Sequence, residues 1–230
     1  MNSIFLETHF RGKIEEIWEK YSYIEETKRG YHLQSEQEEN SILFIGINPS
    51  KSKEDVIKGF YNKGKDEDNK NPYFQRFVDI AKKTGLPWSH IDLFYIRETS
   101  QKKMENLLKS KNLTIFSDFL KEQLELSKEM IEMVNPKILV VSNTLARDLI
   151  RGKYCNIYDF QYKIHFEERF GTEVITGENT NLKGVPVFFT SMLTGQRALD
   201  NGSYDRLVWH IKYVNRILED KIENTILFKS

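Results

Sequence analysis

Cysteine is nearly missing from this chain, which has Cys155 alone among its 230 residues. One cysteine cannot form an internal disulfide, and it cannot supply a four-cysteine zinc or iron–sulfur site. The sequence therefore excludes a fold stabilised by internal disulfides and a metal centre built from cysteines.

An excess of charge is also missing, because 34 Lys and Arg residues face 34 Asp and Glu residues. A net charge of zero argues against a strongly basic nucleic-acid coat, but it leaves room for a local basic cleft. No apolar run approaches the length of a membrane span, and the first residues lack the basic and then apolar pattern of a signal peptide. We expect a soluble, cytoplasmic protein with no membrane partner.

Apolar residues make up 39% of the chain and aromatic residues 13%, which is enough for a substantial core. Segments with helical and strand-like patterns alternate along the sequence, and this order predicts a parallel sheet with helices on both faces. We therefore predict an α/β fold, a three-layer α/β/α sandwich with a central four-stranded parallel sheet. The length suits a single domain spanning residues 1–230.

The individual elements follow from hydrophobic periodicity and from Gly and Pro positions. The predicted strands are 42–47, 90–96, 137–142 and 185–191. The predicted helices are an N-terminal one at 8–25, followed by 73–84, 114–134, 143–150 and 204–219. We interpret 26–40 as a polar surface connection and 152–184 as a hairpin or an irregular insertion.

The most informative segment is residues 46–50, Gly-Ile-Asn-Pro-Ser, directly after a short apolar run. Such a run is typical of a buried strand, and Asn-Pro after it indicates a turn. Asn48 is therefore expected at the carboxyl end of a strand, where open α/β sheets bind ligands. Asp92 on the second strand and the loop 191–202 should reach the same edge, and backbone amides in that loop suit an anion.

Four segments together resemble the uracil-DNA glycosylase superfamily. Residues 46–50 are similar to its first active-site motif, in the Gly-x-Asn-Pro version of the mismatch-specific uracil/thymine branch. Asn71-Pro72-Tyr73-Phe74 lies where the family places the aromatic residue that stacks on the base. Residues 135–146 resemble its third strand and following helix, and 186–191 resemble the approach to its last motif. The ordered set is more specific than any single motif.

The resemblance implies a DNA glycosylase that rotates a nucleotide out of the duplex and hydrolyses its glycosidic bond. Asn48 would be the catalytic residue, orienting the attacking water for a cation-like transition state. The implied base-binding residues are Gly46, Ile47, Pro49, Phe74 and Asp92, with Phe74 stacking on the base. DNA would be the partner, and the reaction requires no metal and no organic cofactor.

Asp92 stands where the family commonly has an asparagine. An ionised carboxylate only accepts hydrogen bonds, whereas a protonated one donates and accepts. A protonated Asp92 would suit a cytosine-type edge, and an ionised one would reject the carbonyl of uracil. We therefore expect a substrate other than plain uracil, with a modified cytosine as one candidate.

The last motif lacks the histidine that many members use to stabilise the departing base. We expect Leu193 to act as the intercalating wedge, with Gln196 or Arg197 in an electrostatic or gap-filling role. The full set of expected DNA-binding residues is Ser50, Lys51, Ser191, Leu193, Thr194, Gln196 and Arg197.

Two other functions stay open from the sequence. The missing histidine permits a nucleic-acid-binding module that has the fold without hydrolysis, because fold does not dictate function. A small-molecule hydrolase or nucleoside-binding enzyme is the third possibility. His90, His165 and His210 do not cluster in sequence, so we interpret each as a polar residue with structural partners. The sequence predicts no oligomeric state.

Overall fold

The computed structural model describes residues 2–50, 57–61, 72–109, 114–158, 160–195 and 198–227. Its helices are α1 (Leu6–Lys20), α2 (Pro72–Thr84), α3 (Gln101–Lys109), α4 (Thr114–Val134), α5 (Thr144–Ile150), α6 (Cys155–Tyr158) and α7 (Asn201–Leu227). Its strands are β1 (Ser3–Phe5), β2 (Gly30–Gln34), β3 (Glu36–Glu38), β4 (Ile42–Gly46), β5 (Ile57–Tyr61), β6 (Trp88–Asp92), β7 (Ile138–Val141), β8 (Ile164–Glu167), β9 (Thr172–Ile175) and β10 (Pro186–Phe189).

The main sheet has six strands in the order β6-β4-β7-β10-β9-β8. Strands β6, β4, β7 and β10 run parallel, whereas β9 pairs antiparallel with both β10 and β8. The α/β class is confirmed. The four predicted strands correspond to β4, β6, β7 and β10 and run parallel, but a purely parallel sheet of four strands is not confirmed, because β9 and β8 add two antiparallel strands. The segment 152–184 supplies a hairpin, β8–β9, whose backbone pairs with the edge of β10 that would otherwise be open.

The parallel strands at the centre are apolar along their whole length. All five residues of β4 and all four residues of β7 are buried. A parallel strand is covered on both faces, so it needs apolar side chains at every position rather than at every second one. This pattern explains why both strands could be recognised from sequence.

Two apolar clusters cover the two faces of the sheet. Leu43, Ile45 and Leu139 point into a cluster that includes buried side chains of α1, α4 and α5. Ile42 and Phe44, at the alternate positions of β4, point into a cluster built with α2 and α7. Successive side chains of a strand face opposite sides, so the register of β4 decides which residues meet α2.

Residues 26–40 are not the surface connection that their polarity suggested. They form a 3-10 helix, Glu25–Arg29, and then β2, which pairs in parallel with β5, and β3, which pairs with β1. Tyr31 and Leu33 are buried, and so is Gln34. The N-terminal helix also differs from its predicted bounds, since it begins at Leu6 and ends at Lys20.

The long helices α4 and α7 contain 21 and 27 residues, and both mix apolar positions with charged ones. In α4, Phe119, Leu124 and Ile131 are buried, while Lys121 and Glu125 form an exposed ion pair. Over the described ranges, no helix combines the length and the apolar character needed to cross a membrane.

Candidate functional site

The carboxyl ends of the parallel strands border a cavity of about 350 Å³. Asn48 follows β4, Asp92 ends β6, Ser142 follows β7 and Met192 lies beyond β10, and all four residues line this outer cavity. Its size falls within the range of about 300–1,000 Å³ that is usual for small-ligand sites. Its position is the sheet edge at which α/β proteins bind ligands.

Most of the residues expected at the site share this outer cavity. Its wall includes Gly46, Ile47, Asn48, Pro49, Ser50, Phe74, Asp92, Leu193 and Thr194. Ser191 is exposed and is not part of the wall. Lys51, Gln196 and Arg197 lie outside the described residues. Segments that are far apart in sequence therefore meet around one space.

The amide of Asn48 has a determined orientation. Its Nδ2 donates hydrogen bonds to the backbone oxygens of Glu98 (2.7 Å), Pro49 (3.0 Å) and Ile96 (3.3 Å). Carbonyl oxygens only accept, so the amino group has to face them. Among the described residues, Oδ1 of Asn48 has no hydrogen-bond partner. Asn48 therefore offers an acceptor to a molecule in the outer cavity.

The carbonyls that hold Asn48 are themselves fixed, because the chain after β4 pairs with the chain after β6. Leu93 N donates to Gly46 O at 3.2 Å, and Glu98 N donates to Pro49 O at 3.1 Å. The Glu98 carboxylate accepts from the Arg29 guanidinium and from Ser100 N. Burial raises the pKa of Glu98, but the bond from Ser100 and the charge of Arg29 outweigh it, so the net pKa is lowered. Glu98 thus stays ionised and anchored at the site.

Gly46 is required by the position of Asp92. The two residues are paired in register on adjacent parallel strands, so their side-chain positions lie on the same face of the sheet. A Cβ added to Gly46 would overlap Asp92 Oδ1 and would lie 3.3 Å from His90 Nε2. The carboxyl of Asp92 therefore occupies the space above Gly46, which explains the glycine in the Gly-Ile-Asn-Pro segment.

Asp92, His90 and Tyr73 form a titratable cluster, in which His90 is buried and Asp92 and Tyr73 are partly buried. His90 Nε2 lies 3.6 Å from Asp92 Oδ1 and 3.4 Å from the Tyr73 hydroxyl oxygen. Burial raises the pKa of Asp92 to about 7 and lowers the pKa of His90 to about 3. Burial, together with the charge of Asp92, also raises the pKa of Tyr73. Near neutral pH, His90 and Tyr73 are uncharged, while Asp92 is present both as the acid and as the carboxylate.

Phe74 belongs to an aromatic group on the α2 side of the outer cavity. Its ring centroid lies 5.1 Å from that of Tyr73, 5.4 Å from His90 and 5.8 Å from Trp88. Only 3% of Phe74 is exposed, so little of its surface is open to the cavity. Tyr73 is half-buried and lines the same wall. Stacking of a base on Phe74 stays a prediction.

Leu193 does not have the exposed position that an intercalating wedge requires. It is 4% exposed and packs in the apolar cluster that α2 and α7 form with the sheet. A wedge must project from the surface to enter a base stack, so the wedge role would require Leu193 to move, and it stays a prediction. Leu193 instead forms part of the wall of the outer cavity.

Several lining residues were missed from sequence. His90 was interpreted as structural, although it lies two positions before Asp92 on one strand and so shares its face. His32 and Tyr61 have ring centroids 4.0 Å apart and belong to β2 and β5, in segments where no strand was expected. Arg97, which is 1% exposed and whose pKa is lowered by burial, follows β6 without any sequence signal.

No group of three or more His, Cys, Asp or Glu side chains with the arrangement of a metal site occurs in the described part of the chain. The outer cavity instead combines an oriented amide, a buried carboxyl group and aromatic rings. No protein-family model matches this chain, and a search of curated proteins also found no match. The assignment of a function therefore depends on the geometry of the site and on the sequence motifs.

Proposed function

We propose that this chain is a monofunctional DNA glycosylase that removes a damaged or modified base after the nucleotide has left the duplex. The observation that carries the proposal is the meeting of Asn48, Phe74 and Asp92 in the outer cavity, with the Asn48 amide held by three backbone carbonyls. These residues come from three separate segments, and each has the chemistry that base removal needs. The resemblance of residues 46–50 to a glycosylase motif supports the same function.

Asn48 acts by positioning the nucleophile. An amide is too weak a base to remove a proton from water, but its Oδ1 accepts a hydrogen bond and so aims the water oxygen. The bond between the base and the sugar C1′ breaks with the electron pair going to the base. The water oxygen then bonds to the cation-like C1′ and releases a proton, and the departing base gains one. Because Nδ2 is tied to the backbone, Oδ1 requires no reorientation when the substrate arrives.

Asp92 reads the edge of the base. Its acid form donates one hydrogen bond and accepts another, which complements the ring nitrogen and amino group of a cytosine-type base. The same acid form complements uracil with the two bonds reversed, whereas the carboxylate repels the uracil carbonyl. A pKa of about 7 makes both forms accessible. Above that pH the carboxylate has lost its donor, so it also fails to bond the ring nitrogen of cytosine, and binding of either edge should weaken. A modified cytosine stays the proposed substrate because Asp92 stands where the glycosylase motif commonly has an asparagine.

The other proposed roles follow from position. Pro49 and Ile47 shape the wall beside the base, and Phe74 provides an aromatic surface. Lys51, Gln196 and Arg197 are proposed to contact DNA on the evidence of the sequence motif alone. The three-layer arrangement of the superfamily is the fold that we propose for the parallel part of the sheet and its helices.

Base release from duplex and single-stranded oligonucleotides tests the proposal. The panel should contain uracil, thymine mispaired with guanine, and cytosines with substituents at C5, each assayed under single-turnover conditions. We expect release of at least one of these bases, with a rate at least about 100-fold lower in Asn48→Ala. Asn156→Ala, which removes an exposed asparagine that does not line the outer cavity, is the matched control and should keep the wild-type rate.

Two results would favour the other functions. Tight binding of a modified duplex without release of any base would indicate a nucleic-acid-binding module. Failure to bind every oligonucleotide would instead indicate a small-molecule hydrolase or nucleoside-binding enzyme.

A further inference from the structure

A second, much smaller cavity lies directly behind the outer one. This inner cavity has a volume of about 10 Å³ and is lined by Leu6, His32, Leu33, Gln34, Tyr61, His90, Ile91, Asp92 and Met130. Four of these residues, His32, Tyr61, His90 and Asp92, also line the outer cavity, so they form the wall between the two spaces. The inner cavity is about the size that holds one water molecule.

Gln34 contributes a buried amide to the wall of the inner cavity. Gln34 is only 3% exposed. Neither Nε2 nor Oε1 of its side chain has a hydrogen-bond partner within the described residues. Gln34 lies two positions after His32 on β2, so both side chains are on the face that meets Asp92 and His90. A buried amide normally has partners for its donors and its acceptor. This amide therefore indicates a ligand that can both donate and accept.

We propose that the inner cavity is a water site, in which one ordered water joins the Gln34 amide to the Asp92 carboxyl group. Gln34 is then a positioning residue, which acts on a bound base through the water and Asp92. A water in a buried site usually makes two to four hydrogen bonds. The Gln34 amide and the Asp92 carboxyl group supply enough partners, and Tyr61 and His90 border the same space.

The water affects the two forms of Asp92 differently. It donates to the carboxylate and so partly replaces the hydration that burial removes, which lowers the pKa of Asp92 relative to a dry site. Four titratable groups face Asp92: His90 from its own strand, Tyr73 from α2, Tyr61 from β5 and His32 from β2. Two charged residues, Arg97 and Glu98, border the outer cavity. Gly46, on the adjacent strand, contributes no charge.

The inference extends the proposed function by naming what sets the protonation of the base-reading group, but its test does not use DNA. The ¹³C signals of aspartate carboxyl groups are followed against pH in labelled protein, and Asp92→Asn identifies the Asp92 signal. Gln34→Met keeps the length of the side chain and removes its donor and acceptor. We expect it to raise the pKa of Asp92 by about one unit, a tenfold change in the ionisation constant.

Leu33→Met is the matched control, because it changes an apolar wall residue of the inner cavity without removing a polar group. It should leave the titration of Asp92 unchanged. A high-resolution crystal structure of the unmodified protein should show the water within hydrogen-bond distance of Gln34 and Asp92, and this result does not depend on the folding of any variant. A map without that water, or a Gln34→Met titration that coincides with the wild type, would overturn the inference.

The two proposals fail separately. Absence of base release from the oligonucleotide panel counts against the glycosylase, while the carboxyl titration and the density map still decide the water site. If both proposals hold, the pH at which base release changes with Asp92 ionisation should move upward in Gln34→Met by the same amount as the NMR titration.

Discussion

Gly46→Ala tests whether the Asp92 carboxyl group truly occupies the space above Gly46. The new Cβ would overlap Asp92 Oδ1 in a strand whose residues are all buried, so neither the backbone nor the neighbouring rings can easily move away. Overpacking of this kind costs about 1–3 kcal/mol of stability. We expect Gly46→Ala to lower the free energy of unfolding by this amount and to abolish base release, because Asp92 is displaced.

A double-mutant cycle separates this clash from a general effect on the strand. In an Asp92→Ala background the carboxyl group is gone, so the cost of Gly46→Ala should fall below about 1 kcal/mol in urea denaturation. Gly12→Ala is the matched control, since a Cβ at Gly12 in α1 meets nothing within 4 Å. It should raise stability by about 0.5–1 kcal/mol. An equal cost of Gly46→Ala in both backgrounds would show that the Asp92 carboxyl group does not occupy the space above Gly46.

The shifted pKa values of Asp92 and His90 should also make the free energy of unfolding depend on pH. The pKa of Asp92 rises from 3.8 to about 7 on folding, so the folded protein holds an extra proton between these values and Asp92 makes stability fall as pH rises from about 4 to 7. Asp92→Asn removes this fall, and its stability relative to the wild type should increase across that range by on the order of 4 kcal/mol. The pKa of His90 falls from 6.5 to about 3 on folding, so His90 makes stability fall as pH drops below 6.5. His90→Asn should therefore gain stability relative to the wild type as pH decreases from 6.5 to 3, and differences that do not vary with pH in urea denaturation would contradict both predictions.

The sequence predicted the central strands well, because a strand that is buried on both faces of the sheet is a continuous apolar run. Strands β4 and β7 were predicted close to their observed bounds for this reason, and helices α2 and α4 were predicted from the helical spacing of their apolar residues. The hairpin β8–β9 was recognised as a possibility, but its addition to the main sheet was not. The pairing of β9 with β10 is made by backbone hydrogen bonds between residues that are far apart in the sequence. The alternation of apolar and polar residues within either strand does not indicate which strand it pairs with.

Asn48 was predicted at the candidate site because it follows an apolar strand. Asp92 was predicted there because its segment was expected at the same sheet edge and because it stands where the glycosylase family commonly has an asparagine. The rest of the wall could not be obtained in the same way. Gln34, which is buried, and His32, which is partly buried, lie in a polar segment, and they line the inner cavity beside Asp92 on a strand that pairs with β5. Tertiary contacts bring such isolated polar residues into the wall of the site. Their sequence pattern resembles that of a surface loop, so the sequence does not reveal them.

A crystal structure of the protein with a duplex that carries an uncleavable 2′-fluoro nucleotide of the base released fastest would test the proposed base site most directly. We expect this base to lie in the outer cavity, with its edge bonded to the Asp92 carboxyl group. A water bonded to Oδ1 of Asn48 should stand beside C1′ of the sugar. A base that remains stacked in the duplex, or one that enters the protein away from Asn48 and Asp92, would contradict the proposed base site.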